Sequence, residues 1–424
     1  MNHNINLKCK VCGNVVRLKI YGGYELKNPF AFSCPKCQIT IQGHLIWNED
    51  VKKGFINEFK CNNASIYSDE GSESHLLQIA TEFFTDKIKA FKMTDPTMIF
   101  SPYMMDQSSF EIKQRKVSFV KHITQEFEEQ MTVTLRVWEL YKNKNYMYLN
   151  RQLLANGFVK PVLLGEVLEI DYPQKILEVL YQPFLIFFSE SGRIKDIFDL
   201  RKMLNNLKQD YPTEVNELYV DLQELIVYSD ENIIHLMKNF AEYYRFIWPI
   251  ILSDIYITDN IDKLKEKKGI LTSNFETLKN YYVEAFEVLC SLLPIFLGIQ
   301  NIIKRGQRNN FEEGIKNKFS QIATIKSYDQ KVVNKGNKVK FFEEENIFNS
   351  IFDIPLILNN SIRNSIGHHS YTYEPDNQLI KFKDRSKNFN LYLIEFGSLL
   401  YKSFYATFLA LELIMFLKNS NPDY

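Results

Sequence analysis

At 424 residues the chain exceeds one ordinary domain, and a prior of about 150 residues per domain suggests two or three. Hydrophobic residues make up 45% and charged residues 24%, a balance that argues against a disordered chain, while a 14% aromatic share supplies sizeable cores. Basic and acidic residues number 51 each, so the total charge indicates no general polyanion-binding surface, and any nucleic-acid site has to come from local clustering.

The first ten residues, MNHNINLKCK, lack an apolar core and are not a signal peptide. Residues 5–60 read as short strands and turns, punctuated by Gly13-Asn14, Gly22-Gly23, Asn28-Pro29 and Cys34-Pro35. The polar, Ser-rich stretch CNNASIYSDEGSES at 61–74 is the first linker candidate. Residues 75–105 are ambiguous between helix and strand, with MIFSPYM resembling a strand. From about 108 a helical period takes over. Helices are expected near 110–141, 174–188, 194–208, 212–228, 231–256, 274–304, 311–325, 344–366 and 390–418, with Pro212 and Asp230 at helix starts. The run KSYDQKVVNKGNKVK at 326–340 has a weak pattern and is expected to be an exposed loop.

Two apolar stretches stand out, 284–303 and 403–417. Both are read as buried bundle helices, because the first holds Glu284, Glu287 and Pro294 and the second holds Glu412 and is too short to span a bilayer. A cytoplasmic protein with no membrane partner is therefore expected. A membrane-associated toxin using 284–303 is one rival, which cell fractionation would reveal.

Cys9-x-x-Cys12 and Cys34-x-x-Cys37 are separated by 21 residues. Each CxxC forms a turn that aims both thiolates at one ion, and two such turns supply the four tetrahedral sulfurs that zinc favours. Gly13 allows the left-handed turn such a knuckle needs. CKVCGN and CPKCQI, with β-type sequence between them, resemble the zinc-ribbon family. Four thiolates close the site, so the expected Zn2+ is structural. His44 is an alternative ligand, and Cys61 and Cys290 read as a loop or strand thiol and a core thiol.

The segment EENIFNSIFDIPLILNNSIRNSIGHHSYTY at 344–373 carries the second constellation. Its helix presents Ile347, Ile351, Ile354 and Leu358 as an apolar stripe and ends at Arg363-Asn364-Ser365-Ile366-Gly367-His368. With Gly367 as C-cap, Arg363 sits on the last turn and His368 just past it. Arg115 and His122 share a similar spacing but lie inside a helix, where they read as a solvated face.

R-N-x-x-x-H after a long bundle helix, followed by HHSYTYEPDNQLIKF and an apolar final helix, resembles the HEPN superfamily over about 215–420, as in its bacterial abortive-infection proteins. The resemblance implies a metal-independent endoribonuclease that acts as a homodimer, with Arg363 and His368 catalytic, Asn364 orienting, and His369 as an alternative imidazole. Tyr371 and Tyr373 are candidates either to stack on RNA bases or simply to pack. The chemistry is self-consistent. A 2′-hydroxyl attacking its own phosphate needs a base that works near neutral pH, which imidazole supplies, and a bidentate cation for the crowded phosphorane. Ten Lys and Arg residues between Lys304 and Lys340 face only Glu312, Glu313 and Asp329, which favours an RNA partner, tRNA among the options, or equally a solubilising loop.

The expected architecture is mainly α: a small β zinc ribbon at 1–62, a mixed α/β, mostly helical middle region at 75–210 with a sensory or regulatory part, and a C-terminal HEPN-like helical bundle at 211–424. The expected role is antiphage defence or toxin-like RNA cleavage set off by a phage-derived trigger. A non-catalytic HEPN module that binds RNA or protein is the alternative. No P-loop, GxSxG or HExxH is present.

Overall fold

The computed structural model describes residues 2–48, 56–68, 73–90, 100–160, 171–256, 261–332, 334–342, 346–348, 353–385 and 387–420. It is about 58% helical, with the strands gathered in small sheets, in line with a mainly α chain. The chain divides into two compact units, each assembled from three separated stretches. The first comprises Met1–Gln125, Asn239–Glu284 and Asn359–Lys402, and the second Glu126–Lys238, Ala285–Leu358 and Ser403–Tyr424. All described strands belong to the first unit; the described residues of the second are helical or irregular.

Nine strands come from the N-terminal stretch: β1 (Asn2–Cys9), β2 (Val15–Tyr21), β3 (Lys27–Ser33), β4 (Thr40–Trp47), β5 (Ile56–Asn62), β6 (Ala64–Tyr67), β7 (Glu73–Ile79), β8 (Thr85–Asp86) and β9 (Lys89–Ala90). All of these described strands except β8 form a five-stranded sheet in the order β6-β1-β2-β7-β9 and a three-stranded sheet β3-β4-β5. The alternation in VVRLKIY explains the first sheet: Val16, Leu18 and Ile20 are buried in one apolar cluster with Leu7, Leu45 and Leu77. In the second sheet Gly43 is required by space, because a Cβ there would lie 2.0 Å from the Lys60 carbonyl oxygen and 2.8 Å from the Phe30 ring. Of the expected linker at 61–74, residues 69–72 lie outside the described ones and most of the rest is strand: Ala64–Tyr67 pairs with β1.

The same unit contains β10 (Lys268–Gly269), β11 (Tyr371–Glu374), β12 (Leu379–Asp384) and β13 (Lys387–Tyr392). β10 pairs with β8, while the last three form an antiparallel sheet in sequence order. Gln378, buried at the entry to β12, fastens this sheet: its Nε2 donates to the Ile270 carbonyl at 2.6 Å and its Oε1 accepts from the Ile270 N–H at 3.1 Å. Leu271 belongs to the apolar cluster of the N-terminal sheets, and its carbonyl accepts from the Ala31 N–H at 2.9 Å.

Helix ends differ from the periodicity in several places. The expected 344–366 helix is instead Ile354–Ile357 and Asn360–Gly367, with 343–345 and 349–352 outside the described residues. Asp353 caps the first piece through the Leu356 N–H, and Asn359 caps the second through the Ser361 and Ile362 N–H groups. The expected loop at 326–340 contains helices Ile325–Lys331 and Lys335–Val339. Asp230 does not start a helix: it lies inside Gln223–Tyr243 and forms a buried ion pair with Lys418.

The apolar stretches are packed. Leu393–Lys418 is the one described helix long and apolar enough to cross a membrane, and 89% of its apolar window is buried. Phe275–Ser291 and Leu293–Arg305 pass the same test only as a pair, bent by 45°, and Pro294 sits at the start of the second helix. In the second unit Arg201 binds Glu412 bidentately at 2.6 and 2.9 Å.

Replacing Gln378 with Met keeps the volume and removes both bonds to Ile270. Two buried backbone groups would lose their partner, so urea unfolding should show stability lower by about 2–4 kcal/mol. An unchanged midpoint would mean that the amide does not hold the sheet.

Candidate functional site

Two side-chain clusters combine chemistry with exposure, both in the first unit. The first is the thiol cluster. Cys9 ends β1 and Cys34 follows β3, and the two turns after them share one hydrogen-bond pattern. The Gly13 N–H donates to the Cys9 carbonyl at 3.0 Å, and the Gln38 N–H to that of Cys34 at 2.9 Å. The Cys9 and Cys34 N–H groups donate to Asn14 and Ile39, each at 2.9 Å. Gly13 and Gln38 close their turns in left-handed backbone, at φ 72° and 61°. Glycine accepts this freely; at Gln38 the turn imposes it.

This geometry brings the Cys9, Cys12, Cys34 and Cys37 sulfurs within 4.8 Å of one another. Cys9 and Cys37 are 3.7 Å apart and Cys12 and Cys34 are 3.5 Å apart. Four sulfurs at about 2.3 Å from a tetrahedral ion lie about 3.8 Å apart, so the set fits a metal such as zinc. The thiols differ electrically. Donation from the Asn14 N–H brings Cys12 down to about 7, whereas burial pushes Cys34 up to about 12. His44 is engaged by Glu58 at 3.2 Å and lies outside the cluster, as do Cys61 and Cys290.

The second cluster is the end of the Asn360–Gly367 helix. Ile362, Ser365 and Ile366 face inward, Arg363 and Asn364 are half-buried, and Gly367, His368 and His369 are exposed. His368 is the C-cap, its N–H donating to Asn364 and Ile366, and the left-handed residue is His369 at φ 52°, not Gly367. A Cβ at Gly367 would lie in ordinary contact with Arg363 Nη1, at 3.8 Å, so the guanidinium runs along the helix toward its end. Arg363 Nη1 is 3.5 Å from Asn364 Oδ1. Thus Arg363, Asn364, His368 and His369 share one helix end, with both imidazoles open to solvent.

The turn beyond is hooked back by Ser370, whose N–H donates to the Ser365 carbonyl at 2.9 Å and whose Oγ donates to the Lys383 carbonyl at 2.7 Å. Neither Ser370 nor Gln378 stands out in the sequence; an SY step before a strand and a Gln after Asp-Asn are ordinary there. Tyr371 and Tyr373 pack. Both rings contact Phe275, at 5.0 and 6.1 Å between centroids, and Tyr371 OH donates to Glu276 Oε1 at 3.0 Å and accepts from Lys279 Nζ. Burial holds the Tyr373 phenol well above its ordinary range.

The basic stretch 304–340 belongs to the second unit and is partly neutralised within it. Arg308 is gripped by Glu214, Glu217 and Asp221, Lys335 pairs with Glu287, and Lys338 with Asp329. Lys318, Lys326 and Lys331 remain exposed.

Metal-free chain should take up one ion at the four thiols, and Cys34→Ser should abolish uptake and lower the thermal midpoint. Uptake expels the Cys34 proton, so affinity should fall as pH drops from 8 to 6 in a chelator-competition titration. Affinity independent of pH would argue against thiolate ligation.

No family model matches the sequence, and no curated protein or solved structure matches it.

Proposed function

We propose that this chain is a HEPN-type endoribonuclease that cuts RNA at Arg363 and His368, of the kind bacteria use in abortive infection or as toxins. The observation that carries the reading is the placement of a half-buried guanidinium and an exposed imidazole at one helix end, with Asn364 beside the arginine. His368 takes the proton of a 2′-hydroxyl as that oxygen attacks the adjacent phosphorus. Arg363 stabilises the charge of the phosphorane. The bond from phosphorus to the 5′-oxygen breaks, and that oxygen needs a proton from a second imidazole. A homodimer supplies it from the second copy of the same helix end. The products are a 2′,3′-cyclic phosphate and a 5′-hydroxyl, and no metal enters the step.

We further propose that the four thiols hold a structural zinc ion in a zinc ribbon. Four sulfurs leave no open position, so these residues brace the β sheets and take no part in cleavage.

Arg363→Ala and His368→Ala should each lower the cleavage rate by about 10²–10⁴-fold with the fold intact by circular dichroism. Growth arrest on induced expression should disappear with them, and His369→Ala should cost less than about tenfold. Undiminished cleavage in both Arg363 and His368 variants would end the proposal. RNA binding without cleavage in the unaltered chain would favour a non-catalytic module.

A further inference from the structure

The sheet β11-β12-β13 has two unlike faces. Ile380 and Phe382 are buried beneath it, with Phe382 meeting Phe275 at 5.8 Å and Phe389 at 5.1 Å. The pleat sends the neighbouring residues to the other side. Thr372 opposes Lys381, which opposes Asn390, and Lys383 opposes Asn388. All five are exposed. The two bonds between Ser370 and Lys383 carry this register back to the residue after His369.

The charge on this face is lopsided. Lys381 is matched by Glu374. Among the described residues no carboxylate forms an ion pair with Lys383, Arg385 or Lys387, all of them exposed. Asp384 opposes Lys387 in the register, so this pair stands on the Phe382 side of the pleat and leaves Lys383 and the tip residue Arg385 as the cations of the other face. One residue, His369, separates His368 from Ser370, and Lys383 lies directly across from Ser370. The Lys383 backbone is therefore within about 12 Å of that of His368.

We infer that the exposed face of β11-β12-β13, through Lys383 and, at its tip, Arg385, is the phosphate-binding track that delivers single-stranded RNA to Arg363 and His368. The inference rests on the ribonuclease reading above. Its chemistry favours a single strand. The neighbouring 2′-hydroxyl has to swing into line with the bond it breaks, which an unstacked strand permits. Cationic side chains with Thr and Asn between them hold a backbone without selecting bases, so the track confers affinity and register and leaves sequence choice elsewhere. The face belongs to the same unit as Arg363 and His368.

The test measures binding without cleavage. Full-length His368→Ala protein is titrated against a labelled single-stranded RNA by fluorescence anisotropy at several salt concentrations. Adding Lys383→Gln and Arg385→Gln should weaken binding roughly tenfold or more and flatten the salt dependence by about 1.4 log units per log unit of salt. Lys383→Arg with Arg385→Lys should retain both affinity and slope, which separates lost charge from lost structure. Lys318→Gln with Lys326→Gln should change little. Unchanged affinity and slope in the Gln pair, or a loss confined to Lys318 and Lys326, would overturn the inference. Failure of the ribonuclease reading shows separately, as no cleavage by the unaltered chain or as undiminished cleavage by the Arg363→Ala and His368→Ala proteins.

Discussion

The buried amide of Gln378 sets where the candidate site lies. A primary amide offers a donor and an acceptor in fixed opposition, and here both meet the backbone of a single residue, Ile270. Such a pairing tolerates neither a slip along the strand nor a rotation, because either leaves buried polar groups unmatched. Gly269 makes room for it: a Cβ there would fall 2.2 Å from Gln378 Oε1. Through this clamp the sheet that follows His369 is tied to the loop whose Leu271 enters the apolar cluster of the N-terminal sheets. The helix end carrying Arg363 and His368 inherits its position by the Ser365–Ser370–Lys383 hydrogen bonds.

The thiol centre and the arginine–histidine end reach their geometry differently. The CxxC turns are local devices, each closed by bonds within six residues, and they need only the pairing of two strands with two others to come together. Gln38 Nε2 also donates to Asp376 Oδ2 at 3.2 Å, joining the second of these turns to the bend between β11 and β12. This single exposed bond is worth little. It marks how near the cysteine turn and the hairpin stand.

Legibility from sequence follows this difference in range. The four cysteines were readable because their chemistry and spacing are local. Arg363 and His368 were readable as neighbours on a helix end, and His368 does fall just past the last helical residue. The helix before them was misread as continuous. Asp353, Pro355 and Asn359 are all strong start signals in the sequence, but the apolar stripe from Ile347 to Leu358 masked them. The Ser-rich stretch at 61–74 misled for the opposite reason, since polar composition hid a short edge strand that pairs with β1. The charge on 304–340 was visible, but its neutralisation was not. The carboxylates that grip Arg308 come from Glu214, Glu217 and Asp221, far away along the chain. Gln378 and the short run KDRSK gave no signal, because the meaning of each depends on a strand register no local pattern reveals.

The interleaving of the two units bears on how the molecule is made. Each draws its last stretch from beyond Asn359 or Ser403, so neither is complete until the C-terminal helix has left the ribosome. The helix end with Arg363 and His368 finds its bed only by docking on segments translated roughly one to three hundred residues before, including Ile270 and Ala31 through Leu271. A nascent or truncated chain thus carries the cysteine turns without a formed arginine–histidine end. Until residues through Lys402 have been made, the helix end with Arg363 and His368 lacks part of the unit that holds it.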